Sequence, residues 1–219
     1  MSIAPDETVT VVHLLRHGEV HNPSGVLYGR LPGYHLSELG ERMAERAAAW
    51  FGGRDITHLV SSPLERAQET AAPTAKTFGL DPVIDDRVIE ADNQFEGKTF
   101  GVGDGALWHP GIWWRLRNPW RPSWGEPYAE IAARMLAAAT DARDAARGHE
   151  AVIVSHQLPV WIARCAVEGR RFLHDPRRRQ CALASVTSIT FAGDRVRATA
   201  YSEPSADLLT KADDEQFGA

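Results

Sequence analysis

At 219 residues, with 43% hydrophobic and 24% charged side chains, the chain has the makeup of a soluble globular protein with one sizeable core. Collagenous, low-complexity and mainly disordered classes are excluded, and no apolar run approaches the roughly 20 residues of a membrane span. A net charge of −5, from 24 basic and 29 acidic residues, gives no global reason to expect nucleic-acid binding. The N-terminus carries Asp6 and Glu7 and no basic stretch, so no signal peptide is expected. Cys165 and Cys181 make neither a disulfide framework nor a metal quartet, and the expected location is cytoplasmic.

Thr8 to Leu15 is rich in β-branched residues and reads as a buried strand ending at Arg16-His17-Gly18-Glu19. A loop punctuated by Pro23, Gly25, Gly29, Pro32 and Gly33 follows. Ser37 is placed to cap a helix from Glu38 to about Phe51, with Leu39, Met43, Ala47 and Trp50 on one face. Thr57 to Ser61 is a second short strand. Ser62-Pro63-Leu64-Glu65 then predicts a capped helix start, with Pro63 at the first helical position and Glu65 completing a capping box. That helix should stop at Gly79.

Residues 80–107 read as irregular, with one apolar patch at Val88-Ile89. An aromatic-rich insertion at about 98–127 holds Trp108, Trp113, Trp114, Trp120 and Trp124 among several prolines. A long Ala-rich helix runs from Tyr128 to about Arg147, with Ile131, Met135, Leu136 and Ala139 in phase. Ala151 to Ser155 is a third buried strand leading directly to His156, and a helix follows to about Glu168. Ser185–Phe191 and Arg195–Tyr201 form a hairpin around Gly193-Asp194. From Glu203 to Ala219 the chain is acidic and weakly patterned, and is expected to be a mobile tail.

This order predicts one α/β domain with its core at about 9–202. It would be a three-layer sandwich, with a mainly parallel central sheet and helices on both faces. Ligands of such sheets bind beyond the carboxyl ends of the strands. Three strands here end in Arg16-His17, in Ser61-Ser62 with Arg66 one turn on, and in Ser155-His156. Side by side, they would line a cleft with two arginines, two histidines and two helix N-termini. Guanidinium groups and free helix N–H groups suit a dianionic phosphate.

Leu14-Leu-Arg-His-Gly-Glu19 resembles the signature of the histidine phosphatase superfamily, the phosphoglycerate mutase-like family. Ser61-Ser-Pro-Leu-Glu-Arg-Ala67 resembles its second motif, Val154-Ser-His156 its third, and Leu36-Ser-Glu-Leu-Gly40 its first helix start. The resemblance implies that His17 is a nucleophile taking the phosphoryl group, and that Arg16, Arg66 and His156 hold the phosphate. It also implies a carboxyl group that protonates the leaving oxygen and later activates water. Glu90 best fits that position. The stretch Arg87 to Gly97 lacks the family's central glycine and is one residue shorter, so Asp92 and Glu96 stay as alternatives. Where the family often has an asparagine six residues past the nucleophile, this chain has Pro23. Asn22 is then the candidate phosphate contact, and Gly29 a backbone contact to substrate.

His13, His17 and His21 have a helical metal-site spacing, but they fall on a strand and a loop, so no metal site is expected. The Trp-rich stretch reads either as core packing or as a lid over the cleft, and the resemblance implies a place on the substrate side of the pocket; Arg115, Arg117 and Arg121 are candidates to meet a second anionic group, or simply face solvent. Arg170, Arg171, Arg177, Arg178 and Arg179 read as a solvated basic patch.

The implied activity is a metal-independent phosphomonoesterase acting through phosphohistidine on a small phosphorylated metabolite. No cofactor is expected, nor a nucleic-acid or membrane partner, and a homodimer is the base-rate assembly. One alternative is a phosphoglycerate mutase, which would need 2,3-bisphosphoglycerate. Another is a binding module that kept the fold and lost turnover.

Overall fold

The computed structural model describes residues 8–93, 96–97, 125–175 and 178–209. Six strands form one sheet: β1 (Val9–Arg16), β2 (Ile56–Ser61), β3 (Val83–Ile84), β4 (Glu150–Ser155), β5 (Val186–Ala192) and β6 (Arg195–Ser202). Their order is β3-β2-β4-β1-β5-β6. The first four are mutually parallel, while β5 and β6 run antiparallel as a hairpin along β1. Gly193, at φ +54°, makes the hairpin turn that a side chain would strain.

Among the described residues, four α-helices cover the sheet: α1 (Glu38–Phe51), α2 (Glu65–Phe78), α3 (Tyr128–Ala145) and α4 (Gln157–Val167). Side chains alternate across a strand, so β4 divides its apolar residues between two cores. Val152 and Val154 pack with Leu15, Phe51, Leu59, Ala67 and Ala71 under α1 and α2. Ala151 and Ile153 pack with Val12, Leu14, Ile131, Met135 and Ile162 under α3 and α4. Each fully buried Val, Leu or Ile contributes roughly 1.5–3 kcal/mol. The expected three-layer α/β sandwich is what the structure shows.

Ser37 caps α1 as expected, its hydroxyl accepting from the Gly40 N–H at 3.0 Å. The expected cap of α2 is a correction. That helix begins at Glu65 behind Leu64, with no side-chain cap. Ser62 instead extends the β2 ladder, its N–H donating to the Val154 carbonyl, and its hydroxyl pairs with His156. The Glu65 carboxylate reaches the Gly33 N–H at 3.1 Å, and the Ser62 N–H that a capping box would use is already given to Val154.

A second correction lies in residues 80–93. Val83–Ile84 adds a short parallel edge strand to β2, followed by a 3-10 turn at Asp86–Val88. A third concerns the tail. Ser205 is buried and donates to the Met43 carbonyl, and Asp207 pairs with Arg46, so the chain stays on α1 as far as these residues. Residues 210–219, the tryptophans of 108–124 and Arg115, Arg117, Arg121 and Arg177 lie outside the described residues. No described helix is long and apolar enough to cross a membrane.

Candidate active site

β2, β4 and β1 are neighbours in parallel, so their carboxyl ends open at one edge. The ladder continues past β1, with the His17 N–H donating to the Ser155 carbonyl at 3.0 Å. The His17 ring is completely buried, and its Nδ1 meets the Gly18 carbonyl at 2.7 Å. A carbonyl only accepts, so Nδ1 carries the proton and Nε2 keeps its lone pair. Burial, then the charges of Arg66 and Arg16, hold the imidazole pKa well below its usual 6.5.

Gly18 is where β1 meets α1. A Cβ there would stand 2.6 Å from the Gly40 carbonyl oxygen, so no other residue fits without a shift. Its N–H donates to the Thr70 hydroxyl, which donates to the Arg66 carbonyl at 2.7 Å. Thr70 thus couples the loop after His17 to the turn of α2 that carries Arg66. The Arg66 guanidinium is buried, donates through Nη2 to the Gly29 carbonyl at 2.5 Å, and lies 4.7 Å over the Tyr28 ring. Arg16 is anchored by Nη1 donating to the Cys181 carbonyl at 2.7 Å.

His156 follows β4 and precedes the first turn of α4. Its Nε2 lies 2.8 Å from the Ser62 hydroxyl, and its ring stands 5.1 Å from that of His17. Burial, then the charges of Arg66 and its other neighbours, lower its pKa well below 6.5 as well.

Glu90 sits on the loop between the 3-10 turn and α3. Ser155 holds that loop to the end of β4, its hydroxyl donating to the Val88 carbonyl at 2.6 Å. The Glu90 side chain is 3% exposed, with Oε1 accepting from the Ala91 N–H. Burial pushes its pKa up from 4.5, against the pull of that N–H and of Arg66, Arg179 and Arg16. Burial thus favours its protonated form more than in a free glutamate.

More than nine in ten buried polar groups in native proteins are hydrogen-bonded. Here Arg16 Nε, His17 Nε2, Arg66 Nε and Nη1, His156 Nδ1 and Glu90 Oε2 are all buried without a partner among the described residues. Such clustering marks a site built for a ligand that is both acceptor and anion. Those residues supply guanidinium donors, imidazoles, a lone pair and a proton.

His17, Arg16, Arg66, His156 and Glu90 thus come together. Of the alternative acids, Asp92 is exposed, and Glu96 is engaged by the Arg30 N–H at 2.8 Å. Asn22 serves the loop instead of standing open: its amide donates to the Val26 carbonyl and accepts from the Val26 N–H. Gly29 acts through its carbonyl on Arg66, and a Cβ at Gly29 would collide with Glu96.

Several supporting residues escaped the sequence reading: Tyr28, Thr70, the Cys181 carbonyl and Arg179. Tyr28 and Thr70 carry no motif of their own, while Arg179 reads as solvated surface and Cys181 only as a cysteine without a disulfide or metal partner. Among the described residues, no group of three or more His, Cys, Asp or Glu is placed to hold a metal ion.

An uncharacterized protein of Mycobacterium tuberculosis, Rv0525, is 56% identical over 202 residues, covering 92% of this chain and 99% of that protein. The solved structure of a mycobacterial glucosyl-3-phosphoglycerate phosphatase, Rv2419c, aligns with a TM-score of 0.67 at 27% identity, over 86% of this chain and 96% of its own. A 2,3-bisphosphoglycerate-dependent phosphoglycerate mutase of Thermoplasma acidophilum is 45% identical over 78 residues, which is 35% of this chain and 39% of the mutase. The family match itself runs over residues 12–204, from β1 through the closing hairpin. Because it takes in every strand end that supplies the cleft, the chain belongs to the histidine phosphatase superfamily, branch 1.

Proposed function

We propose that this protein is a metal-independent phosphomonoesterase working through a phosphohistidine on a small phosphorylated metabolite. One observation carries the reading. The His17 Nε2 lone pair is buried and unpartnered, and two guanidinium groups charge its surroundings. Phosphoryl transfer asks the protein mainly for position and charge stabilisation. His17 Nε2 attacks phosphorus while the bond to the leaving oxygen breaks, and Glu90 gives its proton to that oxygen. Arg16, Arg66 and His156 hold the equatorial oxygens. Water then attacks the phosphohistidine, the Glu90 carboxylate takes its proton, and the N–P bond breaks to free phosphate and His17.

A mutase would use the same groups and return the phosphoryl group to a second hydroxyl. The similarity to a phosphoglycerate mutase over 78 residues keeps that reading in view. The two separate by phosphorus NMR on 3-phosphoglycerate with trace 2,3-bisphosphoglycerate and EDTA. Inorganic phosphate as the product is expected; 2-phosphoglycerate at a comparable rate would make the protein a mutase. His17→Ala should abolish both turnover and acid-labile phosphoenzyme while moving the melting temperature by only a few degrees. Activity surviving in that variant refutes the mechanism.

A further inference from the structure

Arg179 does not behave as part of a surface patch. Arg170, Arg171 and Arg178 are exposed, whereas Arg179 is half-buried. Its Nε donates to His174 Nε2 at 2.8 Å, and its Nη1 donates to Gln157 Oε1 at 3.1 Å. Gln157 is the residue after His156, so the guanidinium stands at the start of α4 beside the phosphate-binding cleft. His174 is held as a neutral acceptor. Its Nδ1 donates to the Phe172 carbonyl at 2.5 Å, and burial lowers its pKa. The side chain is thereby aimed without being neutralised.

The contrast with other arginines near Glu90 is informative. Arg30 and Arg134 both pair with Glu126. Arg179 forms no ion pair among the described residues, and its Nη2 has no hydrogen-bond partner there. Burial lowers its pKa, against the pull of Tyr128, Glu90 and Cys181 and with a smaller push from Arg16. Withdrawing a guanidinium from water without an anion is costly, and a bound anion offsets that cost.

We propose that Arg179 is a subsite for a carboxylate on the alcohol half of the substrate, so that the enzyme favours phosphate monoesters of hydroxy acids over those of neutral alcohols. The proposal rests on the phosphatase reading. One guanidinium beside a neutral amide and imidazole matches a singly charged carboxylate. The dianionic phosphate has two guanidinium groups and two imidazoles of its own. The Nη2 edge is what remains free to meet the carboxylate.

Calorimetric binding of unreactive phosphonates tests this without turnover. The ligands are phosphonoacetate, 3-phosphonopropionate and 4-phosphonobutyrate, which span the unknown separation, with propylphosphonate and inorganic phosphate as references. At least one phosphonocarboxylate should bind the wild type about tenfold or more tightly than propylphosphonate, the scale of one hydrogen bond to a charged group. Arg179→Gln should remove that preference and leave propylphosphonate within about twofold; Arg179→Lys should keep part of it.

A wild type with no preference, or a preference that survives in Arg179→Gln, overturns the proposal. So does equal weakening of every ligand in both variants, because Arg179 would then serve the phosphate or the fold. If neither propylphosphonate nor inorganic phosphate binds the wild type, the phosphatase reading fails and the subsite falls with it.

Discussion

Glu90 and His17 are tuned in opposite directions by the same burial. Desolvation disfavours whichever form is charged, so it raises the carboxyl and lowers the imidazole. The sign of the pH dependence follows. His17 loses its lone pair only as pH falls through its depressed value, below 6.5. Glu90 loses its proton as pH rises through its raised value, above 4.5. An alkyl phosphate needs that proton, while nitrophenolate leaves without it. The ratio of alkyl to nitrophenyl turnover should therefore decline with rising pH in the wild type. In Glu90→Gln, alkyl phosphate turnover should drop about 10²- to 10⁴-fold, nitrophenyl phosphate much less, and the pH dependence of the ratio should vanish. Asp92→Asn showing that pattern instead would move the acid to Asp92.

Among the elements, the loop that carries Glu90 has little regular structure of its own and is held by guanidinium groups. Arg134 on α3 donates to the Arg87 and Ile89 carbonyls at 2.6 and 2.7 Å, and Arg30 donates to the Glu90 carbonyl at 2.7 Å. Glu126 locks both arginines, and its own N–H donates to the Asp92 carbonyl. We expect Arg134→Met to loosen this grip and misplace the acid. Its kcat for an alkyl phosphate should fall about tenfold or more with KM nearly unchanged. Nitrophenyl phosphate should stay within about threefold. Equal losses on both substrates in steady-state kinetics would mean that Arg134 only supports the fold.

The same elements show what a sequence can and cannot disclose. α1 was legible because the Ser37 cap and the amphipathic stripe agree. The start of α2 was not, because the Ser62 hydroxyl pairs with His156 at 2.8 Å and only weakly accepts from the Leu64 N–H at 3.4 Å, ahead of a helix that begins at Glu65. β3 is two exposed residues long, and its only support is a neighbouring strand that no local pattern reveals. Arg179 was misread because a run of arginines looks solvated until the loop shows which one turns inward.

For the molecule as a whole, the decisive step is strand order. Motifs 40 to 140 residues apart become one site only because β2, β4 and β1 lie side by side in parallel. Alternating strands and helices implied such a sheet, and the residues at the strand ends implied the site, but the order itself is a tertiary fact. Gathering Arg16, Arg66, His17 and His156 at one buried edge sets unpaired donors against global stability, since each unmet buried group costs about 1–3 kcal/mol. An anion that satisfies them should stabilise the folded state by mass action, about 2.7 kcal/mol at a ligand concentration 100 times Kd. For a chain of this length that corresponds to a rise in melting temperature of roughly 5–10 °C. Inorganic phosphate or vanadate should produce this rise in thermal scans, and chloride at equal ionic strength should not. Arg66→Ala should abolish the rise while the variant still unfolds cooperatively. A phosphate effect that chloride reproduces, or that persists in Arg66→Ala, would mean that the buried donors at this edge are not what the anion binds.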